Sequence, residues 1–130
     1  MDKKLLDALA ARAEQRKADQ SKVAQFEVGG QMLDFVKIGH TAQLDTYEAF
    51  LEATEHPVQM LHVGVQVIYD CCPALQDTEL HAALGVTDPY DTVWALMDVS
   101  EINRLASKLF EWLGLLPADK AKQAEDIAKN

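Results

Sequence analysis

Residues 56–72, HPVQMLHVGVQVIYDCC, constrain the fold more than any other stretch of the chain. On a wheel of 100° per residue, Gln59, His62, Gln66 and Asp70 share an arc of about 80°. Around the rest stand Val58, Met60, Leu61, Val63, Val65, Val67, Ile68, Cys71 and Cys72, with Gly64. A helix that is apolar over most of its circumference is wrapped by other elements rather than laid on one of them. The alternation of Val63, Val65 and Val67 with His62, Gly64 and Gln66 also suits a strand. Pro57 at the first helical position, polar residues three and four apart, and the length of the run favour the helix. The expectation is a buried central helix over 57–72. Gly64 would let a neighbour approach closely, at about 1 kcal/mol in helix propensity.

The chain has 130 residues, enough for one domain with a real core. Its hydrophobic content of 48% is that of a folded protein, and its formal charge of −9 opposes non-specific attraction to nucleic acid or anionic membrane. No apolar run approaches the roughly 20 residues of a membrane span, and the start MDKKLLDALAARAEQRK lacks a signal segment. The two cysteines are the neighbours Cys71 and Cys72. Helical neighbours diverge by about 100°, which opposes a disulfide between them; the expectation is a cytosolic chain with reduced thiols.

The flanks supply the partners of the central helix. Residues 2–22 are rich in good helix formers but thinly apolar beyond Leu5, Leu6 and Leu9, which reads as an amphipathic N-terminal arm over 1–22. VAQFEV-GG-QMLDFVKI, residues 23–38, has two alternating runs around Gly29-Gly30 and signals a β-hairpin. Phe26 and Val28 share one face, as do Leu33, Phe35 and Lys37. From about Thr41, Leu44, Tyr47, Phe50 and Leu51 stand at helical spacing with an acidic outer face.

Beyond Pro73, Asp77 and Gly85 bracket a short helix as N-cap and C′ residue. Asp88-Pro89 repeats the start signal, and Val93, Leu96 and Met97 face inward. Asp98 and Glu101 have capping-box spacing, with Met97 and Ile102 at the staple positions. The helix that follows carries an apolar arc of about 160°, including Phe110 and Trp112, where about 100° suffices for packing on one neighbour.

The chain therefore reads as mainly α: a compact single domain of five or six helices around the central helix, with one small β-hairpin. The core domain spans 23–116, and 117–130 reads as a polar C-terminal helix or tail.

The four histidines form no metal signature, adjacent cysteines are not a usual zinc-ligand spacing, and Gly29-Gly30 is no phosphate loop. Nothing in these residues argues for catalysis or calls for a cofactor. A helical Cys in an apolar segment is more often a small core residue than a nucleophile.

Between Met60 and Gly114, an apolar helix ends in Tyr69, Cys71 or Cys72, Pro73 and Leu75. A helix start at Asp77, the turn Asp88-Pro89-Tyr90-Asp91, and Glu101-Ile102 with Leu105 follow. As a unit, this stretch resembles the tail assembly chaperones of long-tailed bacteriophages, and with the hairpin the resemblance covers two thirds of the chain. It implies a non-enzymatic protein that coats the tape measure protein and presents tail tube subunits to it. Such a protein acts in the host cytoplasm and is not retained in the mature virion. A longer product made by ribosomal frameshifting often accompanies such chaperones. Here Ala128-Lys129-Asn130 can be encoded GCA AAA AAC, which holds the slippery heptamer A AAA AAC.

Two other classes remain open. One is a helical adaptor or regulatory protein-binding module of a bacterium or mobile element; the other, ranked lower, is a small enzyme using Cys71 or Cys72. The wide arc at Phe110 and Trp112 and the thin stripe of Leu5, Leu6 and Leu9 lead to the expectation of a homo-oligomer associating through one or both.

Overall fold

The computed structural model describes residues 1–20 and 23–116. The expected C-terminal helix or tail, and the Ala128-Lys129-Asn130 triplet, lie outside the described residues.

Helix α1 runs Lys3–Gln20, and every side chain from Lys3 to Asp19 is exposed. Strands β1 (Val23–Val28) and β2 (Gln31–Val36) pair antiparallel, Phe26 opposite Leu33 and Val28 opposite Gln31. That register leaves a two-residue turn at Gly29 and Gly30, with φ of 57° and 84°. Positive φ at both positions is the primed-turn requirement that glycine meets without a Cβ clash. Along β1, Ala24, Phe26 and Val28 alternate inward, and along β2 Leu33 and Phe35 do so, as the sequence pattern foretells.

Helix α2 (His40–Glu52) leads to α3 (Pro57–Cys71), the central helix. Val63, Val65, Val67, Ile68 and Cys71 are buried, while Gln59, His62, Gln66 and Asp70 face solvent. Val58 is the exception to the expected wrapping: it is 70% exposed on the first turn, ahead of the point where the other elements close in. The helix ends one residue earlier than expected. Cys72 sits at φ −115° and ψ 101°, because the ring of Pro73 disfavours the helical region for the residue before it. A 3₁₀ turn, Pro73–Gln76, follows, and Gln76 Nε2 donates to the carbonyls of Tyr69 and Asp70 at 2.9 and 3.2 Å. The Asp70 carbonyl is one that the end of α3 leaves open, and the Tyr69 carbonyl also takes the Cys72 N–H at 3.2 Å.

Helix α4 (Thr78–Leu84) starts where Asp77 accepts from the Glu79 N–H at 2.7 Å and stops at Gly85, φ 69°. Helix α5 spans Asp91–Leu96, starting later than the Asp88-Pro89 signal implies. Asp88 caps a tighter structure: its Oδ1 accepts from Tyr90 N–H, and Asp91 and Thr92 bond back to the carbonyls of Asp88 and Pro89. These i→i+3 bonds form a 3₁₀-type turn ahead of the helix proper.

Helix α6 (Val99–Trp112) carries the complete capping box, Glu101 N–H to Asp98 at 2.8 Å and Asp98 N–H to Glu101 at 3.2 Å. It packs along α3. A Cβ on Gly64 would stand 3.1 Å from the Ala106 Cβ, so the glycine is what lets the two helices approach this closely. The wide apolar arc of α6 has a plain explanation. It meets α3 at Ala106, α2 through Phe110 against Phe50 (ring centroids 5.0 Å), and the hairpin through Trp112 against Phe26 (5.6 Å). Among the described residues the result is one mainly helical domain of six α-helices and one two-stranded hairpin, with a single continuous apolar core around α3 from which α1 stands apart.

Candidate functional site

The chemistry-bearing residues of the central helix go to two different places. Cys71 and Cys72 are fully buried and carry free thiols. Burial pushes the Cys71 thiol up to about 12, outweighing the opposing effect of the Ile38 backbone, and burial raises Cys72 as well. A nucleophilic or metal-binding cysteine needs the thiolate, which this surrounding disfavours. His62 and Asp70 lie on the opposite, solvent-facing side of α3. The structure therefore separates the set Cys71, Cys72, His62 and Asp70 rather than assembling it. Among the described residues, no group of three or more His, Cys, Asp or Glu side chains could hold a metal ion.

Asp70 instead joins an aromatic cluster built by α3, α4 and the turn before α5. Tyr69 stacks on His81 with centroids 6.0 Å apart, and meets Tyr90 edge-on at 5.1 Å. The Tyr90 hydroxyl donates a long 3.4 Å bond to Asp70 Oδ1. His81 Nε2 lies 2.8 Å from the Leu75 carbonyl, which can only accept, so this nitrogen carries the proton. Partial burial raises the Asp70 carboxyl above the ordinary carboxylate range, with the Tyr90 hydrogen bond opposing the shift. Tyr69 and Tyr90 are raised first by desolvation and then by the Asp70 charge. Every partner within the cluster ties α3 to α4 and α5, which is the work of a structural clasp.

A cleft of about 150 Å³ opens between the hairpin and α6, lined by Phe26, Glu27, Gly29, Met97, Arg104 and Lys108 among others. Small-molecule sites usually enclose about 300–1,000 Å³, so this one is small for an organic ligand.

The surface is more informative. Leu5, Leu6 and Leu9 on α1 are each about half exposed, and so are Leu44 and Leu51 on α2, with Tyr47 at 41%. The helical spacing on α2 is as the sequence implies, but only Phe50 of the four apolar residues turns into the core. Leu44, Tyr47 and Leu51 form a separate stripe facing outward. Of the residues proposed for self-association, Leu5, Leu6 and Leu9 are accessible. Phe110 is not: it is 3% exposed and packed on Phe50. Trp112 is half-buried, against Phe26 on one side and with Lys37 Nζ 5.3 Å from its ring centroid. Both are committed to holding the domain together. Sequence reasoning missed Leu44, Tyr47 and Leu51 as surface residues because a helical period marks an apolar stripe without saying what covers it.

Among the described residues, no helix is long and apolar enough to cross a membrane. No family model, curated protein or solved structure matches this chain.

Proposed function

We propose that the protein is a non-enzymatic tail assembly chaperone of a long-tailed bacteriophage or prophage. In this reading it sheathes the tape measure protein and helps bring tail tube subunits to it, in the host cytoplasm, before the virion is complete. The observation that carries the reading is the pair of exposed apolar stripes on α1 and α2, Leu5, Leu6 and Leu9 on the one and Leu44, Tyr47 and Leu51 on the other. Isolated apolar residues on a surface are ordinary, but two stripes at helical spacing suit a protein whose work is binding other helices. The protonated, buried thiols agree with a protein that does no thiol chemistry. The resemblance of residues 60–114 to tail assembly chaperones supplies the identity of the partner class.

The second reading, a helical adaptor or regulator of a bacterium or mobile element, uses the same apolar stripes with a different protein partner. Genetics separates the two. Deleting the gene from its phage or prophage is expected to leave head proteins, tube subunits and tape measure protein synthesised but no tails in electron micrographs, with tails restored by the gene in trans. Normal tails in the deletion strain would remove the chaperone reading. The coding DNA and mass spectrometry of the expressed locus test the frameshifted longer form.

A further inference from the structure

We infer that α1 of one copy docks on α2 of another, so that the protein assembles through an arm-to-face contact between copies of its own chain. Both stripes stay open within one chain: Leu5, Leu6 and Leu9 are half exposed while the outward stripe of α2 is also uncovered. The arm therefore does not satisfy the face of its own chain.

The two surfaces match in shape. At 1.5 Å per residue, Leu5 to Leu9 spans about 6 Å and Leu44 to Leu51 about 10 Å, so the arm stripe fits within the length of the face, and each lies on one side of its helix. They match in charge as well. Helix α1 carries five basic side chains (Lys3, Lys4, Arg12, Arg16, Lys17) against three acidic ones (Asp7, Glu14, Asp19), a net charge of +2. Helix α2 carries Asp45, Glu48 and Glu52 with no Lys or Arg, a net charge of −3 with His40 neutral.

The signs are also placed where the contact would form. On the wheel of α1, Arg12 and Arg16 fall within about 60° of Leu9, whereas Asp7 and Glu14 lie more than about 130° away. On α2, Glu48 falls within about 60° of both Leu44 and Leu51. A leucine stripe edged by arginine thus faces a Leu/Tyr stripe edged by glutamate, and like-with-like pairing of either helix brings equal charges together. The contact is heterologous, because the surface given by one copy differs from the surface it receives on, so it can propagate from copy to copy. It goes beyond the phage role and does not require it: the contact is read on the purified chain alone, and its absence would leave binding to a tape measure protein an open and separate measurement.

The test is sedimentation velocity on the full chain over a wide concentration range, with circular dichroism to check that each variant keeps its helices. An arm variant, Leu5→Glu with Leu9→Glu, and a face variant, Leu44→Glu with Leu51→Glu, change only exposed positions. Wild type is expected to self-associate. Each variant alone is expected to weaken association by more than about a hundredfold, since two leucines lose their burial. An equal mixture of the two is expected to form pairs, one copy supplying an intact arm and the other an intact face. A second, charge-based pair guards against misfolding: Glu48→Lys weakens association, and Arg16→Glu in a mixed partner restores it. A monomeric wild type at every concentration overturns the inference. So does a face variant that associates as wild type does, which would mean arm against arm, or a mixture of arm and face variants that stays monomeric.

Discussion

Moving one methyl group across the α3–α6 interface tests the packing on which the whole domain depends. A Cβ added at Gly64 would lie 3.1 Å from the Ala106 Cβ and 3.6 Å from Ile102 Cγ2. Carbon atoms rest comfortably at about 3.5–4.0 Å. The Ala106 Cβ has no side-chain torsion by which to retreat, so the α6 backbone itself must shift. Overpacking of this kind costs about 1–3 kcal/mol, and about 1 kcal/mol returns because Ala is the better helix former. Gly64→Ala is therefore expected to destabilise by about 0–2 kcal/mol. Ala106→Gly loses a similar propensity and the contacts of a buried methyl, about 1.5–2 kcal/mol in all. In the double variant the methyl simply changes helix. The propensities cancel, the interface is filled once, and stability should return to within about 1 kcal/mol of wild type. The assay is urea unfolding of the four proteins followed by circular dichroism. A coupling energy of about 1.5–4 kcal/mol is expected; effects that add within about 0.5 kcal/mol would mean that Gly64 and Ala106 are not in apposition.

Three further outcomes follow from particular side chains. Asp98→Ala removes one half of the capping box and is expected to cost about 1 kcal/mol in a urea melt; no loss would mean the α6 N-terminus is held otherwise. Thr92 is fully buried and its hydroxyl has no hydrogen-bond partner among the described residues, so Thr92→Val, which keeps the shape, should stabilise by about 1 kcal/mol, and a loss of stability would reveal a partner for that hydroxyl. The Cys71 thiol, held at about 12 against an ordinary 9.0, is protonated at pH 8 and should react with iodoacetamide far more slowly in the native than in the urea-denatured protein. Because its folded value is raised, its contribution to stability is present below about pH 9 and lost as pH rises through about 12. Equal labelling rates in the two states would place the thiol at the surface.

Local grammar was the legible part of the sequence. Gly29-Gly30, Asp77 with Gly85, and Asp98 with Glu101 each prescribe backbone geometry over a few residues, and the structure contains all three. The central helix was legible too, since little but a wrapped helix accommodates so much apolar surface around four aligned polar residues. What a single chain conceals is the partner of each apolar face. The spacing of Leu44, Tyr47, Phe50 and Leu51 could not say that Phe50 turns in and the other three turn out. The wide arc of α6 suggested spare surface at Phe110 and Trp112, whereas three neighbours use it. Asp88-Pro89 announced a start without distinguishing a 3₁₀-type turn from the first turn of an α-helix, because Asp caps both. The thin apolar stripe of Leu5, Leu6 and Leu9 was readable from the sequence and is exposed in the structure, while the outward stripe of α2 emerges only from the fold.

The chaperone reading requires a tape measure gene in the same phage or prophage, and its most direct measurement is co-expression with that gene's product, followed by sizing of the soluble complex by light scattering. A long, largely helical tape measure protein expressed by itself is expected to aggregate, and with this protein present it should stay soluble in a complex holding many copies of the chaperone per tape measure chain. A tape measure protein that remains equally insoluble in its presence, with no complex formed, would contradict the proposed function.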